Sequence, residues 1–187
     1  SAVGRQGSGY VRTHINPLDQ HCIVVASLAK SFGASGGVVM FGNTEHKQKS
    51  LRYGGPCNWS QSLNSAAIGA GRASIALHLT DELTNLQNKL LANIMFFDSL
   101  IKTKQNGSFT PIRLIHCGEA GTATRAASYL AENGFFTASV FFPVVPKDQA
   151  ALRITLRADM PSELIQQFCS LVHAYWHEHN LPTLAGL

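Results

Sequence analysis

Between Pro111 and His179 the hydrophobic period changes repeatedly, and this alternation restricts the fold more than any other feature of the chain. PIRLIHC is a short β-branched run that predicts a strand. TATRAASYLAENG carries apolar residues at helical spacing and stops at Gly134. FFTASVFF and ALRITLRA predict two further strands, the second with alternating faces. Pro161 then opens a helix over PSELIQQFCSLVHAYWHEH. The βαββα order predicts a small α+β domain whose helices cover one face of a sheet.

Upstream, Leu83, Leu86, Leu90, Ile94, Phe97 and Ile101 recur at helical spacing, so residues 81–102 read as a long amphipathic helix. Thr80 stands before it as an N-cap, with Asp81 and Glu82 in the first turn. LNSAAIGAGRASIALHL, rich in Ala and Gly, predicts a helix packed very closely against a neighbour. Residues 21–42 read as strand, tight loop, strand, with HCIVVAS expected to be buried on both faces. The glycine-rich opening reads as loop and the stretch leading to GGP at 54–56 only as polar. The domain boundary is placed near residue 79 or within the long helix, giving units 1–79 and 80–187.

Composition narrows the function classes. Hydrophobic residues are 45% and charged residues 14%, which excludes a disordered chain or a coiled coil. The net charge of +4 is spread without basic runs, so no nucleic-acid partner is expected. No apolar run has membrane-span length, and a cytoplasmic location is expected. Cys22, Cys57, Cys117 and Cys169 lack CxxC spacing and are expected to be buried or half-buried free thiols. His173, His177 and His179 read as a polar helix face rather than a metal site, and no metal is expected.

VVASLAKSFGASGG is the segment richest in chemistry. Lys30 follows an apolar strand directly and precedes Gly33, Gly36 and Gly37. An ammonium at the edge of a buried strand loses hydration, so the position needs a use for it. A neutral amine forming a Schiff base with an aldehyde is one use. Snorkelling to water is the other. Nearby serines and backbone N–H groups suit a phosphate.

The pattern of apolar strand, Ser27, two residues, Lys30 and a Gly/Ser loop resembles the cofactor-lysine motif of the α-oxoamine synthases. These are fold-type I pyridoxal-phosphate enzymes of the 8-amino-7-oxononanoate synthase, 2-amino-3-ketobutyrate CoA ligase and serine palmitoyltransferase kind. AVGRQGSGYV is similar to their loop after an Asp-x-x-His motif. FPVVPKDQAALRITLRADMPSELI is similar to their closing Pro-x-Val-Pro, Leu-Arg-x-(Thr/Ser)-Leu and final helix. The resemblance implies an α/β fold, namely the C-terminal part of a fold-type I transferase. In it, residues 1–79 belong to the cofactor-binding large domain and residues 80–187 form the small α+β domain.

By the same resemblance Lys30 carries pyridoxal phosphate and moves protons at the substrate Cα. Ser27 contacts the cofactor phosphate, and Arg153 in ALRITL clamps the amino-acid carboxylate. Arg157, in the same phase of that strand, is a weaker rival. NWSQSLNSAA matches a turn that enters the opposite subunit's site and implies phosphate contacts from Ser60 and Gln61. Gln61, however, stands where Thr is usual, and Asn64-Ser65 replace two prolines. Met160 lies where many members have His.

The family's Asp-x-x-His motif would lie upstream of Ser1, so the chain is expected to be a portion of a longer protein, with little activity alone. The expected reaction is acyl transfer from an acyl-CoA to an amino acid, in a homodimer. A fold-type I aminotransferase and a non-catalytic partner subunit are the alternatives. Lys30 argues against the last, because a scaffold has no need of it.

Overall fold

The computed structural model describes residues 2–15 and 17–181. Its contacts divide the chain into two units, Ser1–Asn85 and Leu86–Leu187.

In the first unit the opening residues, expected as loop, form a 3-10 turn at Arg5–Gly7 and a short helix, α1 (Tyr10–His14). β1 (Ile23–Ser27) and β2 (Gly37–Phe41) pair antiparallel, with Val25 opposite Val39 and Ser27 opposite Gly37. β1 is not buried on both faces. Ile23 and Val25 are 52% and 73% exposed, and the strand alternates. The reason is that this sheet has two strands, and one of its faces stays open to solvent.

The polar stretch that follows is helical: α2 (Thr44–Tyr53) and α3 (Gly55–Trp59). The Asn43 side chain caps α2 by accepting from the Glu45 N–H at 2.7 Å, and Glu45 pairs with Lys49 one turn on. α4 (Ser65–His78) is capped in the same way by Asn64, which accepts from the Ala67 N–H at 2.8 Å. The close packing expected of its small residues is not seen. Ala67 is its one buried residue, and a Cβ added at Gly69 or Gly71 would meet nothing within 4 Å. α5 (Asp81–Leu100) crosses the division between the units.

The second unit holds β3 (Ile112–Gly118), α6 (Ala120–Glu132), β4 (Ala138–Val140), β5 (Ala150–Thr155) and α7 (Ser162–Glu178). β5 lies between β3 and β4, antiparallel to both. β4 is shorter than FFTASVFF predicts. Val144 N–H bonds to the Phe141 carbonyl, so the chain turns there, and Pro143 has no N–H for a ladder. α6 ends in a Schellman arrangement, with Phe135 N–H on the Leu130 carbonyl and Gly134 N–H on that of Ala131. Gly134 has φ +86°, a conformation that glycine adopts without strain.

One face of the sheet is buried through Arg113, Ile115 and Cys117 of β3 and Leu152 and Ile154 of β5. α7 contributes Ile165, Phe168, Cys169, Val172, Tyr175 and Trp176, the i, i+3, i+4 stripe that its periodicity predicts. Phe168 packs on Phe97 and Phe135, with ring centroids 6.4 and 5.6 Å apart.

Arg113 is the one charged residue fully buried among the described residues. Its guanidinium donates to both Asp98 carboxylate oxygens at 2.6 and 2.8 Å, and to the carbonyls of Ser108, Thr110 and Ile112. All of its donor nitrogens are therefore used, which is what makes burying a cation tolerable.

Candidate active site

Lys30 sits in the connection between β1 and β2. That loop is closed by its own backbone: Leu28 N–H bonds to the Gly36 carbonyl, Ala34 N–H to that of Leu28 and Gly33 N–H to that of Lys30, each at 2.9 Å. Gly33 and Gly36 have φ of +74° and +92°, which explains why glycine recurs here. The Lys30 side chain is exposed and has no hydrogen-bond or ion-pair partner among the described residues. The desolvation argument for this lysine therefore fails: the strand before it is half open, and its amine faces solvent.

Ser27 ends β1, and its hydroxyl oxygen accepts from the Ala29 N–H at 3.2 Å. The hydroxyl proton is left for another acceptor, one residue from the turn that bears Lys30. Gly36 explains the next contact: a Cβ built there would come within 2.6 Å of Leu63 Cδ2. The segment holding Ser60, Gln61 and Leu63 thus lies against the lysine loop of its own chain. Ser60 itself turns back and donates its hydroxyl to the Pro56 carbonyl, while Gln61 is exposed.

Arg153 belongs to the second unit. It stands on the central strand opposite Leu114 and Ala138, on the face away from buried Leu152 and Ile154. It is exposed and without a partner among the described residues. Arg157 differs, because its Nε and a terminal nitrogen donate to the two Asp159 oxygens at 2.8 and 2.9 Å. That pairing raises the Arg157 pKa, through the hydrogen bond first and the charge second, and lowers that of Asp159. Of the two arginines, Arg153 keeps a free fork for a carboxylate.

A largely apolar cavity of about 350 Å³ adjoins both arginines and is lined by Phe135, Met160, Leu164 and Phe168 among others. Asn93, which sequence reasoning passed over, holds its rim by donating to the carbonyls of Arg157 and Met160 at 2.8 and 3.0 Å. His173 and His179 are engaged within the helical layer. His173 Nε2 lies 3.1 Å from the Leu100 carbonyl, and His179 Nδ1 lies 3.0 Å from that of Tyr175. Cys22 is half-buried, and Cys117 and Cys169 are buried, as expected, but Cys57 is exposed in α3. Its helix is short and has no buried residue to cover the thiol.

A lysine loop between paired strands, followed by a three-stranded antiparallel sheet under helices, defines a mixed helix-and-sheet fold of the fold-type I transferase kind. The profile of the aminotransferase class I and II family matches residues 4–172, and the chain belongs to that family. Its relatives include the 8-amino-7-oxononanoate synthase of Pseudomonas syringae pv. syringae, 30% identical over 157 residues, covering 83% of this chain and 39% of the relative. The 8-amino-7-oxononanoate synthase/2-amino-3-ketobutyrate coenzyme A ligase of Thermus thermophilus is 29% identical, with 88% and 42% covered.

Among solved structures, Sphingomonas wittichii serine palmitoyltransferase is similar with a TM-score of 0.76 at 18% identity, covering 86% of this chain and 41% of that one. Francisella tularensis 8-amino-7-oxononanoate synthase gives 0.71 at 23% identity, with 84% and 46% covered. The chain spans less than half the length of each of these relatives. No helix among the described residues is long and apolar enough to cross a membrane.

Proposed function

We propose that the protein carrying this chain is a pyridoxal-phosphate-dependent transferase that joins the acyl group of an acyl-CoA to an amino acid. The observation that carries the reading is Lys30: an amine without a partner among the described residues, on a backbone-closed glycine loop, in a chain with α-oxoamine synthase relatives. A solved serine palmitoyltransferase of the same fold holds pyridoxal phosphate as an internal aldimine. The residues present here fit that group. Lys30 offers a solvent-facing amine for the aldehyde, and Ser27 offers a hydroxyl proton for the phosphate.

When bound, the coenzyme supplies an electron sink for charge at the substrate Cα. Lys30 holds its aldehyde and moves the proton at that carbon. Arg153 presents its planar, permanently charged fork to the substrate carboxylate and so orients the carbon. Ser60 and Gln61 are the further phosphate contacts; Ser60 would first release the Pro56 carbonyl.

In this reading the first unit belongs to the cofactor-binding domain and the second is the small domain. The intact enzyme is a cytoplasmic homodimer, and these 187 residues by themselves turn over little. Light scattering on the natural protein checks the dimer.

Borohydride reduction of the natural protein with pyridoxal phosphate should label Lys30, and Lys30→Ala should leave it colourless. Amino acids with acyl-CoA should then release the free thiol. Label elsewhere or none supports a non-catalytic subunit, and amino transfer to an oxo acid supports an aminotransferase.

A further inference from the structure

The lysine loop is gripped from α4 at Phe32, two residues past Lys30. Ser74 Oγ donates to the Phe32 carbonyl at 2.6 Å, a bond spanning 42 residues of sequence. One turn further along the helix, His78 sets its ring against that of Phe32, with centroids 5.2 Å apart and planes tilted by 43°. His78 Nδ1 lies 2.7 Å from the Ser74 carbonyl. A carbonyl can only accept, so that nitrogen carries the proton. Nε2 is buried and without a partner among the described residues.

These are uncommon uses of both residues. A serine inside a helix commonly points its hydroxyl to solvent or back to the carbonyl four residues before it. Here the hydroxyl reaches a different segment. A buried imidazole nitrogen left without a partner costs free energy, which the ring contact with Phe32 helps to offset. Both side chains converge on Phe32, which lies inside the turn that the Gly33 N–H closes on the Lys30 carbonyl.

We propose that Ser74 and His78 are positioning residues that fix the Lys30 loop, and through it the direction of the lysine amine. This rests on the reading of Lys30 as the coenzyme lysine. Neither residue touches the coenzyme in this scheme. They narrow the set of loop conformations from which Lys30 reacts.

The test uses the natural protein that carries this chain, loaded with pyridoxal phosphate and fixed with borohydride. The readout is the ratio of label on Lys30 to label on exposed Lys89, beside hydrogen exchange at the Gly33 and Ala34 amides. Loss of one such hydrogen bond changes an equilibrium by about two- to tenfold. Ser74→Ala should lower the labelling ratio and speed both amides by that factor, and Ser74→Thr should restore them. A role in global stability alone would move the melting temperature and leave the ratio untouched.

An unchanged ratio in folded Ser74→Ala overturns the proposal whatever the amides do, and so does a Ser74→Thr variant that behaves like Ser74→Ala. Should Ser74→Ala fail to fold, the His78 pair decides. His78→Phe keeps the ring contact and should retain the ratio, whereas His78→Ala should lose it; equal ratios overturn the proposal. No label on Lys30 in the parent removes the Lys30 reading and this inference together. Label in the parent that Ser74 variants leave unaltered removes this inference alone.

Discussion

The two units treat their apolar residues in opposite ways. Of the buried apolar residues described, Ala67 and Leu83 fall in the first unit and all the rest in the second. The first unit instead exposes Ile23, Val25 and Val39 on its hairpin and Trp59, 90% accessible, in α3. Its candidate chemistry is correspondingly open, with Lys30 and Gln61 facing solvent. The second unit has a closed core of helices on a sheet, and its candidate residue Arg153 lies on the sheet's other face. A unit with little buried area draws little hydrophobic stabilisation, so loop closure and side-chain braces matter more there.

The largest expected effect is at Arg113. Arg113→Ala strands Asp98 and several carbonyls, and should cost the second unit about 3–5 kcal/mol in denaturant unfolding. Leu152→Ala, at a fully buried position, should cost about 2–5 kcal/mol. Val25→Thr on the hairpin should stay within about 0.5 kcal/mol. Equal losses at Leu152 and Val25 would erase the contrast between the units.

Hydrogen exchange sharpens it next. Amides of β3 and β5 should exchange far more slowly than those of β1 and β2 in the 187-residue chain. Comparable protection would mean that the hairpin is as stable as the three-stranded sheet.

The thiols give a third, pH-dependent contrast. Burial pushes Cys117 up to about 11, against a weaker opposing hydrogen bond with the Leu152 backbone, and Cys169 up to about 12. An unfolded thiol ionises near 9, so the unfolded chain loses these protons first. Their contribution is complete below about pH 9 and is lost as pH rises through 11 to 12. The alkaline fall in stability should flatten in Cys117→Ala/Cys169→Ala. At pH 8 a thiol reagent should take exposed Cys57 first, and the two buried thiols only on unfolding.

The smallest effect belongs to surface pairs. Asp159→Asn frees Arg157 but should leave the unfolding midpoint unmoved, since both groups are well exposed.

Much of the second unit was legible because its helices and strands alternate apolar faces along the sequence. The α7 stripe and the end of α6 at Gly134 fall where periodicity and turn chemistry put them. α2 was missed, although Asn43, Glu45 and Lys49 form a cap and a one-turn ion pair. Its signals are polar, and a reading based on apolar period passes over them. Asn64, one of the two residues standing where the resemblance puts prolines, has a local reason, since it caps α4.

The order of strands and helices in the second unit, the lysine ahead of its glycines and the family of the chain were all present in the one-dimensional pattern, because period, turn residues and motif spacing are local properties. Which faces are open, that Arg113 meets Asp98, that Arg157 is occupied while Arg153 is free, and that Ser74 reaches Phe32 were decided in three dimensions. Those facts depend on which segments become neighbours, and a hydrogen bond or a buried charge is settled only once its partner arrives.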